Sequence, residues 1–188
     1  MKFCSQCGAP VSMRVPTGDN LLRHVCDLCN TVYYQNPKIV AGCIPEWQGK
    51  VLLCRRAIEP RYGLWTLPAG FMENGESAIA SAAREALEEA NAVVEDLILY
   101  GLYTLTHVNQ VYLMFRGSLK KGRASPGEES LEVALFAEEE IPWSQLAFTV
   151  VHETLQQYFS ERRNGAFHMH VGDIIRGPDN QFLIHRYY

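Results

Sequence analysis

The chain has 188 residues, of which 47% are hydrophobic and 20% are charged. These are ordinary values for a globular protein, and this length allows one main domain with a real core and a small accessory domain. The formal net charge of −4 argues against a broad basic face, so we expect no long nucleic-acid partner. A small anionic ligand stays compatible with this charge if a metal ion supplies positive charge.

The N-terminal sequence MKFCSQCGAP lacks the apolar segment of a secretory signal. The sequence also has no run of about 18 apolar residues that could cross a bilayer. We therefore expect a cytoplasmic protein with no membrane partner. In that compartment the six cysteines are expected to be metal ligands or buried thiols rather than disulfides.

Two short cysteine pairs lie near the N-terminus, Cys4-x-x-Cys7 and Cys26-x-x-Cys29. Eighteen residues separate the pairs, and this spacing is typical of a zinc site built from two paired-cysteine motifs. Four thiolates complete a closed tetrahedron and leave no open position for catalysis. The segment is too short to bury much apolar surface by itself, so we predict a small domain over residues 1–35 that a structural Zn²⁺ stabilises.

The segment YYQNPK marks the end of this domain, because proline biases the preceding residue towards extended backbone. Residues 38–47 and 50–56 are β-branched and aliphatic runs separated by Gln-Gly, which predicts a β-hairpin. Cys43 and Cys54 lie in these runs, outside the zinc pattern, and are interpreted as small core residues.

The second domain, predicted over residues 36–165, continues with extended runs and helices. GLWTLPAG is a short extended piece. Apolar spacing predicts helices over 77–90 and 144–162 and extended runs at 93–105, 108–119 and 131–137. This order predicts an α/β (α+β) protein with a mixed sheet flanked by helices.

Residues 166–188 are predicted to be a C-terminal extension with a strand, a GPDN turn and a second strand. His168 and His170 are expected to share a face of the first of these strands. Because no third ligand lies near them in the sequence, we predict no metal site here.

The first predicted helix carries Glu85, Glu88 and Glu89 within an arc of about 100°. Like charges at such spacings repel by about 0.2–0.5 kcal/mol per pair. A solvated acidic face is one interpretation. The other is a cation site, because the helix has alanines that let it approach a sheet, and PAGFMENGE before it supplies permissive glycines and two more acids. Such an acidic pocket suits Mg²⁺, which takes a few carboxylates and keeps waters or phosphate oxygens.

Residues 70–92 resemble the Nudix box, G-x(5)-E-x(7)-R-E-U-x-E-E-x-G-U, in which U is aliphatic. The matching residues are Gly70, Glu76, Arg84, Glu85, Ala86, Glu88, Glu89 and Ala92. Asn91 stands where the box has glycine, and asparagine tolerates the left-handed end of a helix best after glycine. Ala69 replaces a frequent glycine just ahead of the box.

The resemblance implies a Nudix α/β/α sandwich with a mixed sheet. It also implies hydrolysis, dependent on Mg²⁺ or Mn²⁺, of a nucleoside diphosphate linked to another moiety. The residues that match metal-ligand positions are Gly70, through its carbonyl, and Glu85, Glu88 and Glu89. Glu76 and Arg84 match a structural pair that orients the loop against the helix. Bound ions would clamp the diphosphate and lower the pKa of an attacking water.

The general base of some family members lies outside the box on a later loop. The segment SPGEESLE offers three acids for this role, Glu128, Glu129 and Glu132. Of these we choose Glu129 as the candidate base. The alternative interpretation is a solvated acidic loop.

A four-cysteine zinc ribbon before a Nudix domain resembles the NADH pyrophosphatase group, but the S-Q-P-W-P-F-P motif of that group is missing from residues 93–115. The proline typical of ADP-ribose pyrophosphatases is missing too. The closer resemblance is to plant plastid FAD/ADP-ribose pyrophosphatases and their bacterial relatives, through YQNPKIVAGC, GLWTLPAGFMENGES and SPGEESLE. It implies FAD and/or ADP-ribose as small-molecule substrates, AMP as a product and, by analogy, a homodimer.

Three alternatives stay open: an NADH pyrophosphatase, a house-cleaning or RNA 5′-end hydrolase, and a non-catalytic nucleotide sensor. The complete set of box glutamates favours an enzyme, because a sensor needs no full cation site. An adenine or flavin ring would need an aromatic surface for stacking. The candidates, each also interpretable as a core residue, are Tyr33, Tyr34, Trp65, Phe71 and Tyr112.

Overall fold

The computed structural model describes residues 1–179 and 181–187. Asn180, in the predicted GPDN turn, and Tyr188, at the end of the predicted extension, lie outside the described residues. The chain forms two compact units, Met1–Pro37 and Lys38–Tyr188. In the described part of the chain, no helix has the length and apolar character needed to cross a membrane.

The first unit contains an antiparallel sheet in the order β1–β2–β3. Its strands are β1 (Val11–Arg14), β2 (Arg23–Cys26) and β3 (Val32–Tyr33). The first cysteine pair lies in a tight turn, since the amide of Gly8 donates to the carbonyl of Cys4 at 2.9 Å. Gly8 has a φ of +75°, a left-handed conformation that glycine adopts without steric cost.

The second unit consists of strands, two α-helices and short 3₁₀ turns. In chain order its main elements are β4 (Lys38–Trp47), β5 (Lys50–Arg56), β6 (Trp65–Thr66), β7 (Ala69–Phe71), α1 (Ala78–Ala90), β8 (Val94–Leu105), β9 (Gln110–Leu119), β10 (Ser130–Phe136), α2 (Thr149–Asn164), β11 (His170–Arg176) and β12 (Phe182–Arg186). The 3₁₀ turns are Thr106–Val108, Lys120–Gly122, Glu138–Glu140 and Trp143–Gln145.

These strands form a single mixed sheet in the order β10–β5–β4–β9–β8–β11–β12, with β6 paired to β5 and β7 paired to β4. β4 runs parallel to β9 and β8 runs parallel to β11, while the other pairs are antiparallel. The pairing of β7 with β4 places Gly70 opposite Ala41. Residues 70–77, the glycine loop before α1, are therefore anchored to a central strand of the sheet.

The two helices cover opposite faces of this sheet. Because successive side chains of a strand point to opposite faces, neighbouring residues of β4 belong to different cores: Cys43 packs with α1 and Ile44 packs with α2. Cys43 and Cys54 are both buried, as predicted. The alanines that α1 buries against the sheet are Ala82, Ala86 and Ala90. The predicted α/β/α sandwich with a mixed sheet is confirmed.

The last helix begins at Thr149, so the prediction that it starts at residue 144 was wrong. The preceding segment is held against the sheet, because the amide of Ala147 donates to the carbonyl of Trp65 at 2.8 Å. This pairing overrides the helical spacing of apolar residues in the same segment.

The prediction that His168 and His170 share a strand face was also wrong, because β11 begins at His170. The ring Nδ1 of His168 lies 2.9 Å from a carboxylate oxygen of Glu161 on α2. The Nε2 of His170 lies 3.1 Å from the other oxygen of the same carboxylate. The two histidines therefore flank a helix carboxylate instead of standing side by side on a strand.

Candidate active site

Arg84 ties the glycine loop to α1. Its Nη2 and Nε donate to the two carboxylate oxygens of Glu76 at 2.8 and 3.1 Å, and Nη2 also donates to the carbonyl of Phe71 at 3.1 Å. The bonds from Arg84, followed by one from the amide of Glu73, lower the pKa of Glu76 to about 2. The loop is thus held to the helix by a carboxylate that stays ionised at neutral pH.

Arg84 also brings two of the predicted metal ligands together. Its Nη1 donates to Oε1 of Glu85 at 2.7 Å and to Oε2 of Glu88 at 2.9 Å. Both carboxylates therefore converge on one positive charge. Two carboxylates this close repel each other unless a cation offsets their charge.

Glu85 and Glu89 are buried, with 8% and 5% of their surface exposed, whereas Glu88 is exposed. Burial, followed by the charge of Glu85, raises the pKa of Glu89 to about 8. Burial also raises the pKa of Glu85, and the charge of Glu129 acts in the same direction on both groups. A divalent cation at these carboxylates would offset the cost of keeping them ionised.

Gly70 lies directly against the carboxylate of Glu85. A Cβ atom at position 70 would lie 2.3 Å from Oε2 of Glu85, closer than non-bonded atoms approach. Glycine is thus what allows the backbone of β7 to reach this carboxylate. The donor set around it, carboxylate oxygens and peptide carbonyls, is of the hard type that Mg²⁺ and Mn²⁺ prefer.

The carboxylates of α1 are close to one another but are not arranged as a tight ligand cage. Within residues 1–179 and 181–187, only the four N-terminal cysteines form a group of three or more potential ligands whose donor atoms all lie within 4.8 Å of one another. The carboxylates of α1 form no such group because Nη1 of Arg84 binds both Glu85 and Glu88. These two side chains would have to turn from Arg84 to share a metal ion.

The first unit gathers the four predicted zinc ligands. The sulfur atoms of Cys4, Cys7, Cys26 and Cys29 all lie within 4.8 Å of one another. The hydroxyl of Tyr33 lies 3.0 Å from Sγ of Cys4, and this contact lowers the pKa of that thiol to about 6. Four sulfurs at such separations fit a tetrahedral Zn²⁺ with bonds of about 2.3 Å.

The structure separates the three acids proposed as the general base. Glu128 and Glu129 line the same cavity as the box glutamates. Glu132 lies in β10 and pairs with Arg55 at 3.6 Å. The carbonyl of Glu129 accepts a hydrogen bond from the amide of Ala57 at 2.8 Å, which fixes its backbone next to the end of β5.

The acidic residues of α1 and of the later loop line one cavity of about 910 Å³. Its volume is at the upper end of the range of about 300–1,000 Å³ seen for ligand pockets, so it suits an elongated ligand. Its apolar and aromatic lining consists of Val40, Ile58, Pro60, Ala69, Phe71, Leu105, Val108, Tyr112 and Phe148. Carboxylates and ring-stacking surfaces therefore share one space.

The five aromatic candidates fall into three places. Phe71 and Tyr112 line the cavity, and Phe71 is 46% exposed. Trp65 belongs to the core on the α2 side of the sheet. Tyr33 and Tyr34 belong to the first unit.

Sequence reasoning missed Arg56, His107 and Phe148, which also line the cavity. The Cζ atom of Arg56 lies 5.2 Å from the centroid of the Phe148 ring. The three residues come from the end of β5, from a 3₁₀ turn and from the segment before α2. The two arginines of CRR at the end of a predicted strand were visible in the sequence, but the position of Arg56 at the cavity depends on the strand order.

The acidic helix behind a glycine loop, set on a mixed sheet, defines a Nudix domain. Residues 36–164 match the family described as NUDIX domain. Residues 2–35 match the family described as Nudix N-terminal, a zinc ribbon. The chain belongs to the Nudix family and carries the N-terminal zinc-ribbon region found in that family.

Relatives with known names give this assignment more detail. The crystal structure of a Nudix hydrolase from Nitrosomonas europaea is similar to this structure, with a TM-score of 0.90 and 56% sequence identity. The match covers 93% of this chain and 99% of that chain. The NAD-capped RNA hydrolase NudC of Photobacterium profundum is 27% identical over 81% of this chain and 58% of its own length. The ADP-ribose pyrophosphatase of Methanocaldococcus jannaschii is 28% identical over 74% of this chain and 82% of its own length. The chain thus spans less than two thirds of the NudC relative.

Proposed function

We propose that this protein is a pyrophosphohydrolase that uses Mg²⁺ or Mn²⁺ to cleave the diphosphate bond of FAD and ADP-ribose, releasing AMP. The observation that carries the proposal is one cavity that combines the carboxylates of α1 with an aromatic wall. A diphosphate needs the cations that carboxylates hold, and a base or flavin ring needs a surface on which to stack. The similarity to an ADP-ribose pyrophosphatase and the resemblance to the plant plastid group support this choice of substrates.

In this proposal each residue of the box has a defined task. The metal ligands are the carbonyl of Gly70 and the carboxylates of Glu85, Glu88 and Glu89. A divalent ion held by these residues would supply positive charge against the diphosphate and would lower the pKa of the attacking water. Arg84 keeps the loop in register through Glu76, and Glu129 accepts the proton of the water as general base. The resulting hydroxide forms a bond to one phosphorus, the bond between that phosphorus and the bridging oxygen breaks, and the bridging oxygen leaves with the other phosphorus.

The second candidate function is hydrolysis of NADH or of NAD-capped RNA, favoured by the similarity to NudC. These substrates carry the same type of diphosphate linkage between two nucleosides. The net charge of −4 argues against a long RNA partner. The missing S-Q-P-W-P-F-P motif also makes NADH the weaker choice.

We also propose a division of labour along the chain, with a zinc ribbon over residues 1–35, a hydrolase domain over 36–165 and a C-terminal hairpin extension over 166–188. We expect the protein to act in the cytoplasm as a homodimer. Light scattering of the purified protein with zinc bound tests the dimer, and a single-chain mass would contradict it.

The function is tested by measuring AMP release from FAD, ADP-ribose, NADH and NAD-capped RNA, with Mg²⁺, with Mn²⁺ and after chelation of divalent ions. We expect turnover of FAD and ADP-ribose that requires the metal. The variant Glu89→Gln should lower kcat about 100-fold, because it removes one charge of the metal site.

The matched control for this variant is Glu139→Gln, which makes the same substitution at an exposed position of the 3₁₀ turn Glu138–Glu140. It should leave kcat unchanged. Absence of AMP from every substrate, or full turnover by Glu89→Gln, would contradict the enzyme assignment. Faster turnover of NADH than of FAD and ADP-ribose would support the second candidate function instead.

A further inference from the structure

Asn91 occupies the position at which the Nudix box has glycine. It ends α1 in the left-handed conformation, with φ 44° and ψ 33°. Its amide donates to the carbonyl of Leu87 at 2.9 Å, a bond that glycine would make equally well. Because glycine adopts this conformation at lower cost than asparagine, the backbone alone does not explain the side chain.

The side chain of Asn91 reaches a loop that lies 34 residues further along the chain. Its Nδ2 donates to the carbonyl of Ser125 at 3.2 Å and to the carbonyl of Pro126 at 3.1 Å. An amide NH₂ group has two hydrogens to donate, so both are used. Glycine at this position has no group that could form these bonds.

Backbone bonds fasten the same loop to the last turn of α1. The amide of Ser125 donates to the carbonyl of Ala90, and the amide of Gly127 donates to the carbonyl of Glu89, both at 2.9 Å. These are carbonyls that a helix end leaves without a partner inside the helix. The fit is close, since a Cβ atom on Gly127 would lie 1.7 Å from the carbonyl oxygen of Glu88.

The loop enters the cavity immediately after this attachment. Glu128 and Glu129 follow Gly127 and line the cavity. The second attachment is the bond from the amide of Ala57 to the carbonyl of Glu129. The loop acids are thus held between the end of α1 on one side and the end of β5 on the other.

We infer that Asn91 is a positioning residue: its side-chain amide clamps the loop that carries Glu128 and Glu129 to the end of the helix that carries the metal-binding glutamates. The clamp sets the distance between the loop acids and the carboxylates of α1. This inference rests on the proposed function for its effect on catalysis, but the clamp itself is a contact that can be measured without turnover.

Two substitutions test the clamp. Asn91→Gly removes the side chain while keeping a residue that favours the left-handed conformation, and Asn91→Asp keeps the size but replaces the donor with an acceptor. We expect both to lower kcat for FAD and ADP-ribose about 10- to 100-fold, with little change in KM, because a misplaced catalytic group has costs of this size. In zinc-bound protein without added Mg²⁺ or Mn²⁺, the backbone amides of residue 125 and of residues 127–130 should exchange with deuterium about 10-fold faster.

The matched control is Asp96→Gly, which places glycine at another left-handed position, φ 55°, on an exposed part of β8. It should leave kcat and exchange of the loop unchanged. Wild-type kcat and wild-type exchange in Asn91→Gly would overturn the inference and leave Asn91 as a helix cap alone. If the wild-type protein releases no AMP, the proposed function fails, and unchanged loop exchange in the variants would then separately overturn the clamp.

Discussion

Arg84 contacts three carboxylates at once, those of Glu76, Glu85 and Glu88. Its bonds to Glu76, followed by those to Glu85 and Glu88, raise the pKa of the guanidinium further above its ordinary value, so the side chain stays charged. The bidentate contact with Glu76 is the stronger geometry. Arg84 can therefore keep the loop in place through Glu76 while Glu85 and Glu88 turn to a metal ion.

The close approach of Gly70 to the carboxylate of Glu85 leads to a prediction at the scale of a single residue. In Gly70→Ala the added methyl group would lie 2.3 Å from Oε2 of Glu85. The carboxylate is the end of a flexible side chain, so it should move while the backbone stays. We expect kcat to fall at least about 10-fold and the melting temperature to change by less than about 4 °C.

Steady-state AMP release and thermal unfolding of the same Gly70→Ala preparation check this prediction. Normal kcat in a folded variant would show that the position of the Glu85 carboxylate does not matter for catalysis. A large loss of stability would instead show that the backbone of β7 had to move.

The box residues could be predicted from the sequence because their chemistry depends on local spacing. Glu85 and Glu88 lie on one helix face whatever the rest of the fold does. The contact of Asn91 with Ser125 and the position of Arg56 at the cavity could not be predicted, because both depend on which distant segments the sheet brings together. The sequence showed asparagine in place of glycine, but not what its side chain binds.

At the scale of elements, the C-terminal hairpin adds strands to the sheet and completes an ion pair with α2. Nε and Nη2 of Arg186, on β12, donate to the two carboxylate oxygens of Glu153 at 2.6 and 2.9 Å. Glu153 is fully buried. The hairpin therefore supplies the charge that allows α2 to bury a glutamate against the sheet.

Removing the partner of this buried carboxylate should destabilise the protein. Loss of one member of a buried pair costs about 3–5 kcal/mol, and we expect about 2 kcal/mol for Arg186→Ala because the arginine side chain is 53% exposed. This corresponds to a melting temperature about 4–8 °C lower at pH 7. Thermal unfolding measures it, with Arg176→Ala, an exposed position of β11, as the control that should change little.

The same pair predicts how the effect of Arg186→Ala depends on pH. Burial raises the pKa of Glu153, but the bonds from Arg186 and Gln157 outweigh this, and the net pKa lies below its ordinary value. The stabilisation is therefore fully present above about pH 4.3, the ordinary pKa of glutamate, and is lost as pH falls through the lowered pKa. The difference between wild type and variant should shrink in that acidic range, and a constant difference would contradict this account.

The sequence predicts whether a segment is a helix or a strand better than it predicts where the segment begins or which strand it pairs with. The spacing of apolar residues in the sequence predicts strands β4 and β5 and helix α1. The start of α2 at Thr149 could not be predicted, because the bond between Ala147 and Trp65 decides it. The parallel pairing of β11 with β8 is likewise a property of the assembled sheet rather than of either strand.

At the scale of the whole molecule, the two units draw their stability from different sources. Lys38–Tyr188 has a hydrophobic core on each face of its sheet. In Met1–Pro37, the buried hydrophobic side chains are Cys4, Val25 and Cys26. Two of these three are predicted zinc ligands, so the first unit has little apolar burial to offset its chain entropy without a metal.

Zinc removal should therefore unfold the first unit and leave the second folded. We expect one zinc per chain, and we expect a strong zinc chelator to abolish the protection of β1 and β2 amides from deuterium exchange, because metal binding is coupled to folding in such small domains. The amides of β4 and β9 should keep their protection, since both strands lie inside the mixed sheet. Cys26→Ser should reproduce the effect without chelator, and added zinc should reverse it in the wild type only. Retained protection of β2 in zinc-free protein would show that the first unit folds on its own apolar contacts.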